Sequence, residues 1–171
     1  MRRGGGKFKG RAYENEIAHI LEEWSHMKWK RAPLSGGFQK TVVTGDVFCV
    51  AEYEETGNIR VPFSFEVKKR EAWDLVQFFK DSDKFIVKEW WQQSCDDSAI
   101  SGKQPILIFA KNYYPDLIML RTSTLKKLHS LIGEKKLPCI YYIMPENDEV
   151  IILRLSEFLD WISFEILITC R

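Results

Sequence analysis

Cysteine and histidine are scarce in this chain, four and three among 171 residues, and neither is grouped. Cys49, Cys95, Cys139 and Cys170 contain no C-x-x-C pair, which argues against a disulfide framework and fits a reducing compartment. The two that sit in strand-like runs read as small core residues. His19, His26 and His129 stand apart from the cysteines, so no zinc site is expected. No apolar run approaches the length that spans a bilayer, and no membrane association is expected. Met1-Arg2-Arg3 leads into glycines rather than an apolar segment, so no signal peptide is expected either. Internal repeats and interior linkers are missing, and the net charge of +1 excludes a global polycation.

What is present is an apolar content of 45%, a mean hydropathy of −0.26 and 13% aromatic residues. That suits one globular domain with a sizeable core. The charge is unevenly spread. Residues 1–40 hold nine bases (Arg2, Arg3, Lys7, Lys9, Arg11, Lys28, Lys30, Arg31, Lys40) against Glu14, Glu16, Glu22 and Glu23, a local net of +5. Residues 1–9, with three consecutive glycines, read as a flexible basic arm that follows phosphates or, equally, as a solubilising tail.

Gly10 to about Lys28 has the spacing of an amphipathic helix, with Tyr13, Ile17, Ile20, Leu21 and Trp24 in one stripe. At 100° per residue Glu14 lies about 75° from the centre of that stripe, at the border of the core, whereas Glu16 points to solvent. An ordinary first-turn acid that favours the helix dipole is the alternative for Glu14. Strands are expected at Trp29–Ala32, Val47–Tyr53, Ile59–Lys68, Gln104–Ala110, Leu117–Arg121, Pro138–Met144 and Val150–Leu155. Helices are expected from Glu71 to about Asp81, from about Asp83 to Cys95, after a capping Ser123, and from Ser156. On a helix Trp90 and Trp91 are not both expected to face inward. Helix, strands, helices, strands, helix make a single α/β domain with a central mixed β-sheet flanked by helices.

One stretch concentrates the chemistry. In Phe63-Ser64-Phe65-Glu66-Val67-Lys68-Lys69, read as a strand, Val61, Phe63, Phe65 and Val67 share an apolar face. Ser64, Glu66 and Lys68 share the other, so a carboxylate and an ammonium project side by side. Glu-x-Lys is common by chance, and a solvated strand face with an ion pair is the plain alternative. The register adds to it. Opposed residues of an antiparallel hairpin sum to a constant, and a turn centred on Thr56 makes that sum 112. Asp46 then faces Glu66, while Val47 faces Phe65, Cys49 faces Phe63 and Ala51 faces Val61. A slip of one residue would drive carboxylates into the core.

Three acids and a lysine thus stand in order: Glu14, Asp46, Glu66 and Lys68. Three carboxylates within roughly 5 Å cost on the order of 3 kcal/mol per pair at an effective dielectric of about 20, so a cation or proton is required. Hard oxygen ligands suit Mg²⁺ or Mn²⁺. Such ions activate water and stabilise the leaving oxygen of a phosphodiester, and Lys68 would orient the water or offset charge on the phosphate.

Gly45-Asp46, a strand-turn-strand spacer, then Phe65-Glu66-Val67-Lys68 resembles the PD-(D/E)xK nuclease core, with glycine where proline commonly precedes the aspartate. Lys9-Gly10-Arg11-Ala12-Tyr13-Glu14-Asn15-Glu16-Ile17 further resembles the N-terminal signature of archaeal-type Holliday junction resolvases. Ser35-Gly36-Gly37 stands where those resolvases carry a loop near the active site. The resemblance covers about residues 9–70 well, and residues 115–171 match nothing. It implies a restriction-endonuclease-like fold, with a core over 10–112 and an extension over 113–171. It implies metal binding by Glu14, Asp46 and Glu66 with Lys68 assisting, and a homodimer that nicks four-way DNA junctions in recombination. The setting would be the cytoplasm of a bacterium, an archaeon or a phage-infected cell. Arg2, Arg3, Lys7, Lys9, Arg11, Ser35, Lys40, Lys69 and Gln93 are the candidate DNA contacts. A general, repair or restriction-type nuclease and a non-catalytic nucleic-acid-binding module are the competing readings.

Overall fold

The computed structural model describes residues 5–32, 43–54, 59–80 and 85–170. A seven-stranded mixed sheet runs through them in the order β1-β2-β3-β4-β5-β7-β6. The strands are β1 Trp29–Arg31, β2 Val47–Cys49, β3 Phe63–Lys69, β4 Gln104–Ala110, β5 Leu117–Arg121, β6 Cys139–Ile143 and β7 Glu149–Arg154. Helices α1 Gly5–Ser25, α2 Ile86–Ser101, α3 Thr122–Ile132, α4 Leu155–Trp161 and α5 Phe164–Leu167 flank it. Strands β3 and β4 run parallel, joined by the α2 crossover, and the other described pairs are antiparallel.

The alternation in β3 sorts the two sides. Phe63, Phe65 and Val67 pack with Ile106, Ile108, Ile118 and Leu120 against the stripe Tyr13, Ile17 and Leu21 of α1. Each fully buried side chain of this kind contributes about 1.5–3 kcal/mol. The opposite face holds Leu107, Phe109 and Met119 under Val87, Trp90 and Trp91 of α2. Ser64 and Glu66 face that way too, and both are buried. The face expected to be polar is therefore covered by a helix from later in the chain.

Several expected elements differ in extent. Helix α1 begins at Gly5 rather than Gly10, so 5–9 continue the helix; residues 1–4 lie outside the described residues. Strand β2 stops at Cys49, and Val50–Glu52 forms a 3₁₀ turn instead of extending to Tyr53. Val47 pairs with Phe65 as the register predicts. The pairing of Ala51 with Val61 is replaced by a side-chain contact, because Glu52 accepts the Val61 N–H at 3.2 Å and binds Lys103 at 2.8 Å. The turn at Thr56 lies outside the described residues. Between 71 and 80 there is only a 3₁₀ turn, Leu75–Phe79, fixed by an Asp74–Gln77 capping box. Helix α2 starts at Ile86 and runs on through 96–101, beyond the end expected at Cys95, closing on Gly102 at φ 66°.

Both Trp90 and Trp91 are buried. Trp90 lies over the sheet near Phe109, while the Trp91 indole is covered from the side by the β6–β7 turn, donating to Asp148 Oδ2 at 3.0 Å. Cys49 is buried as expected, but Cys139 is exposed because its strand forms an edge of the sheet. Helix α3 is preceded by Arg121, and no side chain caps it. Among the described residues no helix is long and apolar enough to cross a membrane.

Candidate active site

Asp46 is fixed before it does anything. Its N–H donates to Phe65 O at 2.7 Å and its carbonyl accepts from Ala32 N at 2.8 Å. Its carboxylate Oδ2 accepts the Val67 N–H at 3.0 Å. The preceding residue makes this approach possible. Gly45 has φ 85°, and a Cβ there would lie 2.6 Å from Phe65 O and 2.9 Å from Phe65 N. A side chain is thus excluded both by backbone conformation and by the closeness of β3.

Glu66 lies across the ribbon from Asp46, and Lys68 stands beside both. Lys68 Nζ donates to Glu66 Oε1 and lies 3.6 Å from Asp46 Oδ2. The side chains of Glu66, Asp46 and Lys68 are 2%, 8% and 21% exposed, so exposure rises from the glutamate to the ammonium. Burial and then the Asp46 charge push the Glu66 carboxyl up to about 7, against the pull of Lys68, with Asp97 on α2 adding to the rise. Burial alone would lower Lys68, but the two carboxylates outweigh it and leave it raised, firmly an ammonium.

Glu14 comes from the other layer. Arg31 Nη1 lies 3.6 Å from its Oε2, and its side chain is 16% exposed. Burial and the Asp46 charge raise its carboxyl, while Arg31 and Lys68 oppose the rise. It is electrostatically joined to the pair without closing on it. Among the described residues no three Asp, Glu, His or Cys side chains are gathered closely enough to hold a metal ion. The expected meeting of three carboxylates is therefore a pair with a neighbour. Arg31 beside Glu14, and Lys68 between Glu66 and Asp46, supply part of the counter-charge that such a group requires. The donor chemistry still suits a small hard cation. Both acids of the pair offer oxygen only, and Mg²⁺ keeps several waters while using one or two carboxylates.

The candidate DNA contacts separate. Lys69 sits over the Tyr13 ring at 4.6 Å and 3.8 Å from Glu16 Oε2, so it ties β3 to α1. Arg11 on α1 and Gln93 on α2 are exposed. Gln93 shares a helix flank with Asp97, one turn on. Lys7 and Lys9 fall in the α1 backbone, their side chains outside the described part, and Arg2, Arg3, Ser35 and Lys40 lie outside the described residues. Arg31 and Asp97 are not site candidates in the sequence, and Gly45 stands out there only as the glycine in the place of the motif's proline. Gly45 carried a signal, as a glycine directly before an acid that opens a strand; Arg31 and Asp97 carried none, since their relevance comes only from tertiary neighbours.

A seven-stranded α/β sheet with an Asp, a Glu-x-Lys strand and a helix-borne glutamate at one end defines a nuclease-like core. The family "Phage putative PDDEXK endonuclease" matches residues 5–167, and the chain belongs to that family. Protein D14 of Escherichia phage T5 is 26% identical over 139 residues, covering 77% of this chain and 84% of that protein. A 1.6 Å structure of Hjc, a Holliday junction resolvase from the archaeal hyperthermophile Archaeoglobus fulgidus, overlaps 93% of this chain and 95% of its own. That overlap has 12% identity and a TM-score of 0.40, a likeness too distant to bear on function.

Proposed function

We propose that the chain is a Mg²⁺- or Mn²⁺-dependent DNA endonuclease in which Asp46, Glu66 and Lys68 carry the chemistry and Glu14 flanks them. The observation that supports this most is the buried carboxylate pair held around one ammonium. Such an arrangement costs stability, because each buried charge loses hydration. A second cation would relieve it, since Glu66 retains an affinity for protons that Lys68 alone does not remove.

Asp46 and Glu66 would hold the divalent ion. When bound, that ion supplies a nucleophile at neutral pH and stabilises the leaving oxygen of the phosphodiester. The protein does the positioning. The Val67 N–H and the Phe65 carbonyl fix Asp46, so its carboxylate needs no reorganisation on binding. Lys68, the most exposed of the three, is the group that reaches toward the phosphate, orienting the attacking water or offsetting charge on the phosphoryl oxygens. Glu14, with Arg31 beside it, adds an oxygen donor on the α1 side. Residues 10–112 form the catalytic core in this reading, and 113–171 extend it.

The substrate proposed is a four-way junction, cut by a homodimer. Support comes from the resemblance of residues 9–17 to the resolvase signature and from the place of Glu14 on α1 beside the acidic pair. The test compares a synthetic four-way junction with a linear duplex of the same sequence, with Mg²⁺ and with EDTA. Junction cleavage that needs Mg²⁺ is expected. Equal cleavage of both DNAs would replace the resolvase by a general, repair or restriction-type nuclease. Binding that persists unchanged in EDTA, with no nick under any condition, would leave a binding module only.

A further inference from the structure

The turn between β4 and β5 presents an aromatic ring wholly to solvent. Tyr114 N–H donates to Lys111 O at 3.3 Å, which closes a β-turn over Asn112 and Tyr113. Tyr113 has φ 63°, in a turn position that normally takes glycine or asparagine when φ is positive. It is fully exposed. The turn itself is held at both ends. Lys111 Nζ donates to Trp73 O at 3.1 Å and sits 3.9 Å over the Tyr114 ring. Past the tip, Asp116 accepts the Tyr13 hydroxyl at 2.6 Å. A strained residue on a fixed turn thus holds a bulky ring out in water, and strain of this kind gathers at functional sites.

That turn stands at the same end of the sheet as the candidate site. Lys68 is opposed to Phe109 across β3 and β4. The Phe109 ring lies 5.0 Å from Trp73, and Trp73 lies 6.2 Å from Tyr114. Tyr113 follows Phe109 by four residues, so its Cα is at most about 15 Å from that of Lys68. A stacked DNA strand covers such a span in about four nucleotides of 3.4 Å each. The local charge also suits a polyanion. Lys68, Lys69 and Arg70 run consecutively out of β3, and Arg70 is exposed. The acids nearby are engaged: Glu71 accepts the Asn112 N–H, Asp74 faces Lys111 and Asp116 holds Tyr13.

We propose that Tyr113 is a stacking platform for a base freed at the branch point of the DNA, a few nucleotides from the phosphate at Lys68. This rests on the nuclease reading above and names the part of the substrate that separates a branched DNA from a duplex, whose bases are already stacked on their neighbours. Every base has a π-face, so the contact is blind to sequence. Tyr114 is the lesser candidate, because Lys111 covers one face of its ring.

The test reads binding in EDTA, apart from cleavage. The probe is a synthetic four-way junction carrying the fluorescent base 2-aminopurine beside the branch point, set against a linear duplex of the same sequence. Wild-type protein is expected to change the fluorescence of the junction. Tyr113→Ala should abolish that change and weaken junction binding roughly 5- to 150-fold, the equivalent of one stacked base, with duplex binding unchanged. Tyr113→Phe should behave as wild type, since the ring and not the hydroxyl does the stacking. Tyr113→Gly should weaken junction binding as alanine does without lowering the melting temperature, because glycine accepts the left-handed backbone. Junction binding by Tyr113→Ala at wild-type strength, or an equal loss on the duplex, overturns the platform alone and leaves the nuclease reading to the cleavage assay. A wild-type chain that gives the Tyr113-dependent signal but cuts no DNA in Mg²⁺ overturns the nuclease reading and keeps the platform. A chain that binds neither DNA overturns both.

Discussion

The β2–β3 ribbon and the β6–β7 ribbon are built on opposite plans. The β6–β7 ribbon is regular, with five opposed pairs from Cys139–Leu153 to Ile143–Glu149, and its buried residues are all apolar. The β2–β3 ribbon keeps a single opposed pair, Val47–Phe65, then breaks into a 3₁₀ turn. It buries Asp46, Ser64 and Glu66 where the other ribbon buries aliphatics. Regular pairing needs no particular side chain beyond alternation. The irregular ribbon needs a glycine at one position, a carboxylate at the next and an ammonium across from it. Stability is supplied by the first plan, and the second uses some of it to keep charges out of water.

The sharpest way to test that contrast is to neutralise the buried acids. Asp46→Asn or Glu66→Gln should lower cleavage by on the order of 10³-fold or more, because several kcal/mol of charge stabilisation are lost. DNA binding in a mobility-shift assay should persist, and cleavage by either variant at the wild-type rate would remove these residues from the chemistry. Gly45→Ala comes next, at about 2–5 kcal/mol of stability in urea unfolding, combining a left-handed backbone with a clash on Phe65. The control is Gly102→Ala, also at positive φ but with open space around it, which should cost about 1–2 kcal/mol.

The pH profile of the metal-free protein should show the buried glutamate directly. Glu66 binds its proton more tightly folded than unfolded, so the native state holds more protons between about 4.5 and about 7. Stability contributed by this group is then full below its unfolded pKa and is lost as pH rises through that window. Every tenfold gain in proton affinity on folding corresponds to about 1.4 kcal/mol. Mg²⁺ should raise the melting temperature more at pH 8 than at pH 5, and an equal effect at both would contradict binding at Glu66. The smallest effect belongs to the regular region. Trp91→Phe removes the hydrogen bond to Asp148, which keeps its Arg121 partner, and should cost about 1 kcal/mol while leaving DNA cleavage unchanged below the melting transition.

Local periodicity made much of this visible beforehand. The stripe on α1, the alternation of β3 and the pairing of Val47 with Phe65 all follow from spacing, because a wrong register would have buried polar groups. Strand β5 appears where its apolar run lies. What spacing did not convey was cover supplied from a distance. Glu66 looks solvated on its own strand and is buried because α2 crosses over it some twenty residues later. The two tryptophans seemed unable to share an interior because one helix has one buried face; the β6–β7 turn provides the second wall. Asp74 closes a 3₁₀ turn where apolar spacing suggested a full helix, since the capping box satisfies the backbone within one turn.

The α2 crossover has a consequence for how the molecule is made. Strand β3 emerges from the ribosome before the helix that covers its Glu66 side has been synthesised. Until Ser101 is out, the Glu66 side chain lacks its helical cover, and the part of its proton affinity that comes from burial under α2 and from Asp97 is missing. That part is acquired late, when α2 lands on the sheet, so a nascent chain stalled short of that point would carry Asp46, Glu66 and Lys68 without the cover that sets Glu66 apart.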